Sequence, residues 1–198
     1  PVMSDLAVMV PQDDNYDFGD APASYGDASH RINSSQYLGN RIDGEAASQY
    51  SEEADGDDLS GLDDEDGITI PDLRQGEKAT IRYTLVTPWY AYAYLNVWID
   101  WNGDGDFNDQ GERILTDQRR GSGSYNLDVT VPATAIASRP TYARFRLGPR
   151  STNDPEYGST GIASSGEVED YMIKIACIPP DPPKVGRITQ PTCENPTG

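Results

Sequence analysis

Side chains that carry oxygen recur at alternate positions in WIDWNGDGDFNDQGER, the stretch from Trp98 to Arg113. Glycines at Gly103 and Gly105 let the backbone turn tightly between them, so that several oxygens can point at one centre. Such a set suits a hard cation, because Ca2+ takes about six to eight oxygen ligands. The spacing therefore predicts one calcium site in this loop. Its candidate ligands are Asp100, Asn102, Asp104, Asp106 and Glu112.

The order of these ligands resembles the first half of an EF-hand loop, but the second half differs. An EF-hand places its bidentate glutamate at the twelfth loop position, where this chain has Gly111, one residue before Glu112. The residues before Asp100 also alternate as a strand does. We therefore predict a calcium loop between strands. The alternative is a hairpin without metal, in which at least three carboxylates of one short loop would repel one another.

Acidic residues dominate the composition, with 33 Asp and Glu against 15 Lys and Arg and a net charge of -18. This charge disfavours nucleic acid, whose phosphates need a basic surface, and anionic membrane surfaces. Membrane insertion is not predicted either, because no apolar run approaches the roughly 20 residues that span a bilayer. The acidity fits carboxylates that are partly neutralised by divalent ions, and the alternative is a solubilising surface charge.

Alternation of apolar and polar residues, the pattern of half-buried strands, begins at residue 68. Few segments look helical, and Pro and Gly interrupt the chain throughout. We therefore predict an all-β fold, an antiparallel β-sandwich of jelly-roll-like type with long calcium-binding loops. The predicted strands lie within residues 68–70, 79–85, 90–101, 125–131, 142–147 and 171–175.

The chain divides into three predicted segments. Residues 1–16 are an N-terminal extension or linker, and 17–176 form the β-domain. Residues 177–198 begin with a proline-rich stretch that predicts a stiff linker, followed by the start of another unit. Cys177 and Cys193 both lie in this last segment, where a disulfide between them and pairing with other partners are both open.

Four phrases occur in the order that one known family has. They are DFGDAP from Asp17 to Pro22, the acidic phrase Asp63–Gly67, the WIDWNGDGDF loop, and GEVEDY from Gly166 to Tyr171. Together they resemble the GEVED domain over roughly residues 13–176. That family occurs in large secreted and surface proteins of bacteria, beside adhesive repeats or attached to hydrolases. The tail VGRITQPTCENPTG resembles the start of an Ig-like adhesin repeat of the kind that gliding bacteria export by type IX secretion.

The resemblance extends the metal prediction to the other acidic phrases. Neighbouring side chains of a strand point to opposite faces, so Glu167 and Glu169 project together while Asp170 projects away. With carboxylates of the two earlier phrases they would form a second calcium site that joins the first and last parts of the domain. The alternative is a solvated acidic start of a strand. The candidate ligands are Asp17, Asp20, Asp63, Asp64, Asp66, Glu167 and Glu169.

These features predict a calcium-stabilised, non-catalytic module of a large bacterial surface or secreted protein, acting in adhesion or as a stalk element. Its predicted partners are neighbouring repeats of the same chain and a surface glycan or protein receptor. Extracellular modules bind calcium at roughly 0.1–1 mM, which fits an extracellular location. An enzyme is not predicted, because no nucleophile motif accompanies His30, the single histidine.

The alternative function is a carbohydrate-binding module accessory to a secreted hydrolase. One face of the strand within 90–101 carries aromatic rings, and flat rings stack on sugars. The other interpretation of this face is that it packs under the N-terminal acidic segment or against a second sheet. The rings belong to Tyr90, Tyr92, Tyr94 and Trp98.

Overall fold

The fold was analysed in a computed structural model that describes residues 16–32, 35–56, 65–88, 91–148 and 158–178. Apart from one 3-10 turn at Ala23–Tyr25, the regular elements in these ranges are β-strands. This confirms the predicted all-β class. None of the described residues belongs to a helix long and apolar enough to cross a membrane. The predicted terminal segments fall almost wholly outside these ranges, so their boundaries stay predictions.

The described residues form thirteen strands. They are β1 (Tyr16–Phe18), β2 (Ala28–Arg31), β3 (Tyr37–Leu38), β4 (Ile68–Thr69), β5 (Leu73–Arg74), β6 (Lys78–Val86), β7 (Ala93–Ile99), β8 (Arg113–Arg120), β9 (Gly123–Thr130), β10 (Thr141–Gly148), β11 (Gly161–Ala163), β12 (Glu167–Ile173) and β13 (Ile175–Ala176).

Two antiparallel sheets form the sandwich. The main sheet has the order β12-β10-β7-β8. The second sheet is built on β6, where Tyr83 pairs with Ile68 of β4 on one side and with Tyr125 of β9 on the other. β3 pairs with the far end of β6. β13 follows β12 and pairs in parallel with β5, so the last strand of the main sheet runs on into a separate pair.

The core lies between these two sheets, because alternation turns one face of each strand inward. The main sheet contributes Leu95, Val97 and Ile99 of β7 and Phe145 of β10, and all four are fully buried. The second sheet contributes inward residues such as Ile81. A fully buried side chain of this size stabilises the fold by about 1.5–3 kcal/mol. The core is therefore built from the inward-facing residues of the predicted alternation.

A third layer covers the other face of the main sheet. It consists of β1, β2 and β11, with β1 antiparallel and β11 parallel to β2, and of the segment between β1 and β2, which contains the Ala23–Tyr25 turn. We call this layer the cover. Beneath it lie Trp98, Arg144 and Arg146, which point away from the core and are nevertheless buried. The central strands β10 and β7 of the main sheet thus have buried residues on both faces.

Candidate metal loop and buried motif carboxylates

The predicted calcium loop connects β7 to β8 at one end of the main sheet. Its two ends are held together because Ile99 N donates to the carbonyl oxygen of Glu112 at 2.9 Å. The side chains of Asp100 and Glu112 are 0 % and 2 % exposed. Asn102 and Asp104 are exposed, and Asp106 is half-buried. The structure therefore places the five predicted ligands on one loop, with the first and last buried at its base.

Asp100 organises the first turn of the loop. Its Oδ1 accepts Gly103 N at 2.5 Å, and its Oδ2 accepts Gly105 N at 3.1 Å. Gly105 has φ of 97°, which a glycine adopts without strain. Oδ2 also accepts the hydroxyl of Tyr25 at 2.7 Å. Burial, together with this hydrogen bond, raises the pKa of Tyr25, so that its hydroxyl remains a donor.

The next three candidates each accept a backbone N–H from two residues further on. The distances are 2.8 Å for Asn102 Oδ1 to Asp104 N, 3.3 Å for Asp104 Oδ1 to Asp106 N, and 2.8 Å for Asp106 Oδ1 to Asn108 N. These are successive Asx turns, in which a side chain imitates a backbone turn. The alternate spacing that suggests metal ligands thus also closes the loop internally.

Glu112 completes the base of the loop. Its carboxylate accepts Trp101 N at 3.1 Å and Asp109 N at 3.2 Å. Burial raises its pKa to about 7; the bond from Asp109 opposes this rise, and the negative charges of Asp100 and Asp104 add to it. Among the described residues, no Lys, Arg or His forms an ion pair with Asp100 or Glu112. The loop therefore contains buried carboxylates that repel one another.

The side chains of the loop are not arranged as a closed metal cage. Across the described ranges, no group of three or more His, Cys, Asp or Glu side chains is positioned to hold a metal ion. The donor chemistry nevertheless suits a hard cation, because every candidate offers oxygen. A cavity of about 410 Å3 adjoins the loop and is lined in part by Trp101, Asn102, Asp109 and Glu112.

The carboxylates of the GEVED phrase bind the backbone of distant segments. Glu167 accepts the N–H of Leu38 in β3. Glu169 accepts Gly67 N at 3.1 Å and the hydroxyl of Tyr171 at 3.0 Å. Both glutamates are buried. They therefore attach the edge of the second sheet, where β3 and β4 lie, to the last strand of the main sheet.

The other candidates for a second metal site have separate partners. Asp17 accepts Val168 N at 2.5 Å, and Asp20 accepts Gly56 N at 2.7 Å. Asp66 accepts Asn40 N at 2.7 Å. Asp63 and Asp64 lie outside the described residues. These carboxylates accept backbone N–H groups in the described ranges, and the second metal site stays a prediction.

The strongest polar contact of the motifs was not predicted from sequence. Asp170, which projects away from Glu169, forms a two-point ion pair with Arg144 of β10, with both N···O distances 2.7 Å and both side chains 0 % exposed. Asp170 also accepts Ala21 N at 3.0 Å. Gly19 is required beside it, because a Cβ there would lie 2.6 Å from Asp170 Oδ2. The signal available in sequence was the alternation that separates Asp170 from Glu169.

The aromatic face proposed for sugar binding is divided by the cover. Trp98 is 3 % exposed and packs in a small cluster with Tyr25 and Phe107, so it offers no free ring to a sugar. Tyr92 is 52 % exposed, and the Arg119 guanidinium lies 3.9 Å above its ring. Tyr94 is half-buried, and Tyr90 lies outside the described residues. For Trp98, packing under the N-terminal segment is what the structure shows.

The fold and these contacts define an all-β module whose acidic phrases meet around one sheet. Residues 94–174 match the family model of the GEVED domain. The match includes the WIDWNGDGDF loop and the GEVED phrase, whereas the two earlier acidic phrases precede it. This match confirms the resemblance for residues 94–174, which are similar to the GEVED domain. A search of the curated proteins and a search of the solved structures each return no match.

Proposed function

We propose that this chain is a calcium-stabilised, non-catalytic module of a large secreted or surface protein, acting in adhesion or as a stalk element. The observation that carries the proposal is the pair of buried carboxylates, Asp100 and Glu112, at the base of a loop made of oxygen donors. Burying a charge is costly unless an opposite charge accompanies it. A divalent cation would supply that charge, and its preference for oxygen fits the donors present.

The exposed part of the loop would complete the coordination. Asp104 and Asp106 each use Oδ1 in an Asx turn. Oδ2 of Asp104 accepts Asn102 Nδ2 at 3.1 Å, and a modest rotation would redirect the second oxygen of each carboxylate to the ion. Asn102 and the Asp100 carboxylate would join them from the first turn. We propose one ion at this site. The motif carboxylates act as backbone acceptors in this proposal and do not form a second site.

Ion binding at this loop would stabilise more than the loop, because three separate segments contact it. Tyr25 of the cover reaches Asp100, and its ring lies 4.8 Å from that of Phe107. Thr141 Oγ1 donates to the carbonyl of Asp100 at 2.7 Å, and Arg139 donates to that of Gly103. The cover, the β9–β10 connection and the main sheet therefore meet at the loop, which suits a module that must resist unfolding.

The non-catalytic part of the proposal is supported by His30. A catalytic histidine must reach a substrate and a nucleophile, whereas His30 is 0 % exposed and bonded to Arg146. The extracellular location is supported by the affinity that calcium modules of this kind have, roughly 0.1–1 mM. A surface glycan, a protein receptor and neighbouring repeats remain the proposed partners. The Ig-like repeat and type IX export remain predictions, since they depend on residues 179–198.

Thermal unfolding with and without calcium tests the proposal. In 10 mM calcium chloride, against excess EDTA, binding at roughly 0.1–1 mM would add about 1.4–2.7 kcal/mol to the free energy of unfolding. For a domain of this size we expect the melting temperature to rise by about 3–10 °C. Calorimetric titration should give one calcium per chain. An unchanged melting temperature together with no binding heat would refute the calcium site.

A further inference from the structure

The two ring nitrogens of His30, in the middle of β2, have partners that define its protonation state. Nε2 lies 2.9 Å from Nε of Arg146, and Nδ1 lies 3.0 Å from the carbonyl oxygen of Ser165. A guanidinium can only donate, so Nε2 must supply the lone pair, and Nδ1–H donates to the carbonyl. The geometry therefore requires a neutral imidazole, with its single proton on Nδ1.

Arg146 joins the main sheet to the cover through this histidine and through carbonyl groups. Its Nη1 donates to the carbonyls of Gly158 and Thr160 at 2.8 and 2.9 Å. Its Nη2 donates to that of Gly161 at 2.8 Å and to that of Ser29 at 3.3 Å. The guanidinium is thus surrounded by acceptors from β2, β11 and the residues before β11. One of those acceptors, the His30 ring, loses its accepting atom if it gains a proton.

The elements packed around His30 contribute several charged groups. β10 contributes Arg146 and Arg144, and the latter is paired with Asp170 of β12. β1 contributes Asp17, which is opposite His30 in the register and accepts Val168 N. β12 also contributes Glu167, bonded to Leu38 N, and β11 has no titratable side chain.

Burial, followed by the positive charge of Arg146, holds the pKa of His30 well below its ordinary value; the Ser165 carbonyl opposes this shift, and Arg144 adds to it.

We propose that protonation of His30 detaches the cover from the main sheet, which makes the module acid-sensitive. A proton from solvent would occupy the Nε2 lone pair, and its N–H would then point at the N–H of Arg146. The protonated imidazole would then face the Arg146 guanidinium, a second buried cation. The ring can accept the proton only by leaving this position. Because His30 lies in β2, which pairs with β11, its departure would loosen both strands against the carbonyl contacts of Arg146.

The direction of the pH effect follows from the lowered pKa. The unfolded or detached state binds a proton near the ordinary value of about 6.5, whereas the attached state does not. The contribution of His30 to attachment is therefore complete above about pH 6.5 and is lost as pH falls below it. The equilibrium for detachment should rise by up to about tenfold for each pH unit below that value.

Proton NMR of the imidazole tests this directly, because His30 is the only histidine in the chain. The titration runs from pH 8 to 5 in saturating calcium chloride, so that the result does not depend on the loop. We expect the neutral signal to persist without the ordinary titration while a second, protonated signal grows. Amide exchange should accelerate together with that signal in residues 28–31 and 158–163. A smooth titration near pH 6.5 with unchanged exchange would overturn the proposal.

His30→Gln provides the matched variant. The side-chain oxygen of glutamine can accept from Arg146, and glutamine does not titrate. Between pH 8 and 5 the melting temperature of the natural protein should fall more steeply than that of the variant, because only the natural protein has a titrating side chain at position 30. Equal slopes in both proteins would overturn the proposal. If the variant does not fold, exchange and the imidazole signal of the natural protein still decide the question.

Discussion

Two acidic regions of this molecule differ in what surrounds their carboxylates. The loop from Asp100 to Glu112 has five carboxylates, and its acceptors bind N–H groups within the loop, apart from the hydroxyl of Tyr25. The GEVED phrase has three carboxylates, and each of them binds at least one group far away in sequence. Asp170 alone contacts both Arg144 and Ala21. One region is closed on itself, and the other holds separate segments together.

The difference shows why similar residues serve two purposes. The charge of Asp170 is balanced by a buried guanidinium, so no ion is needed there. The carboxylates of Asp100 and Glu112 have no such partner among the described residues, and burial raises the pKa of Glu112 to about 7. A bound cation would therefore stabilise the protein most at the loop. The GEVED phrase would act as an anchor for the cover and for the edge of the second sheet.

The first prediction tests the anchor and has the largest expected effect on the free energy of unfolding. Asp170→Ala would leave Arg144 buried without its counter-charge, and breaking such a pair costs about 3–5 kcal/mol. Urea denaturation in calcium and in EDTA should show a similar loss, because the partners of Asp170, Arg144 and Ala21, lie outside the loop. A loss below about 1 kcal/mol would mean that water reaches Arg144 and that the anchor is weak.

The second prediction tests the loop. Asp100→Asn should abolish the difference of about 1.4–2.7 kcal/mol that calcium produces, because it removes a charge from the base of the site. Asp128→Asn is the matched control, since Asp128 is exposed on β9 and bonded to Thr80 at 2.7 Å. The control should retain the full calcium effect. An equal calcium effect in both variants would remove Asp100 from the site.

Much of the sandwich could be predicted because its central strands alternate clearly. In β6 and β9, buried residues alternate with more exposed ones. In β10, residues that face the core alternate with residues that face the cover. The period of two is therefore visible in all three sequences. β8 was not predicted, because its residues are exposed or half-buried throughout. It is also irregular: Asp117 has φ of 50°, and its N–H bonds to the buried side chain of Asn96. An edge strand with a bulge carries little periodic signal.

The loop was found from sequence because its candidates are neighbours along the chain. The contacts of the GEVED phrase could not be assigned, because their partners are 26 to 151 residues away in sequence. Alternation correctly separates Asp170 from Glu169, but it does not reveal that Arg144 lies opposite Asp170 in the register. That information belongs to the pairing of β10 with β12. The cover was missed because its strands, of three or four residues each, are too short to show a readable period.

The third prediction concerns the glutamates of the anchor. Glu167→Gln and Glu169→Gln keep an acceptor for Leu38 N and Gly67 N but lose the charge. A hydrogen bond to a charged group contributes about 1.5–3 kcal/mol, against about 1 for a neutral one, so each variant should lose about 1–2 kcal/mol in denaturant unfolding. The number of calcium ions per chain, measured by metal analysis, should remain one. Two ions in the natural protein and one in either variant would return these residues to a second calcium site.

The fourth prediction has the smallest expected effect. It tests whether the contribution of a motif carboxylate depends on its burial or on its place in a family motif. Asp66 belongs to an acidic phrase of the family, yet its partner Arg41 is 3.8 Å away and half-exposed. Exposed pairs contribute about 0–1 kcal/mol because water and salt screen them. Arg41→Ala should therefore change the unfolding free energy by less than about 1 kcal/mol, and added salt should reduce that change further. A loss comparable to that of Asp170→Ala would show that motif membership determines the contribution, rather than burial and pairing.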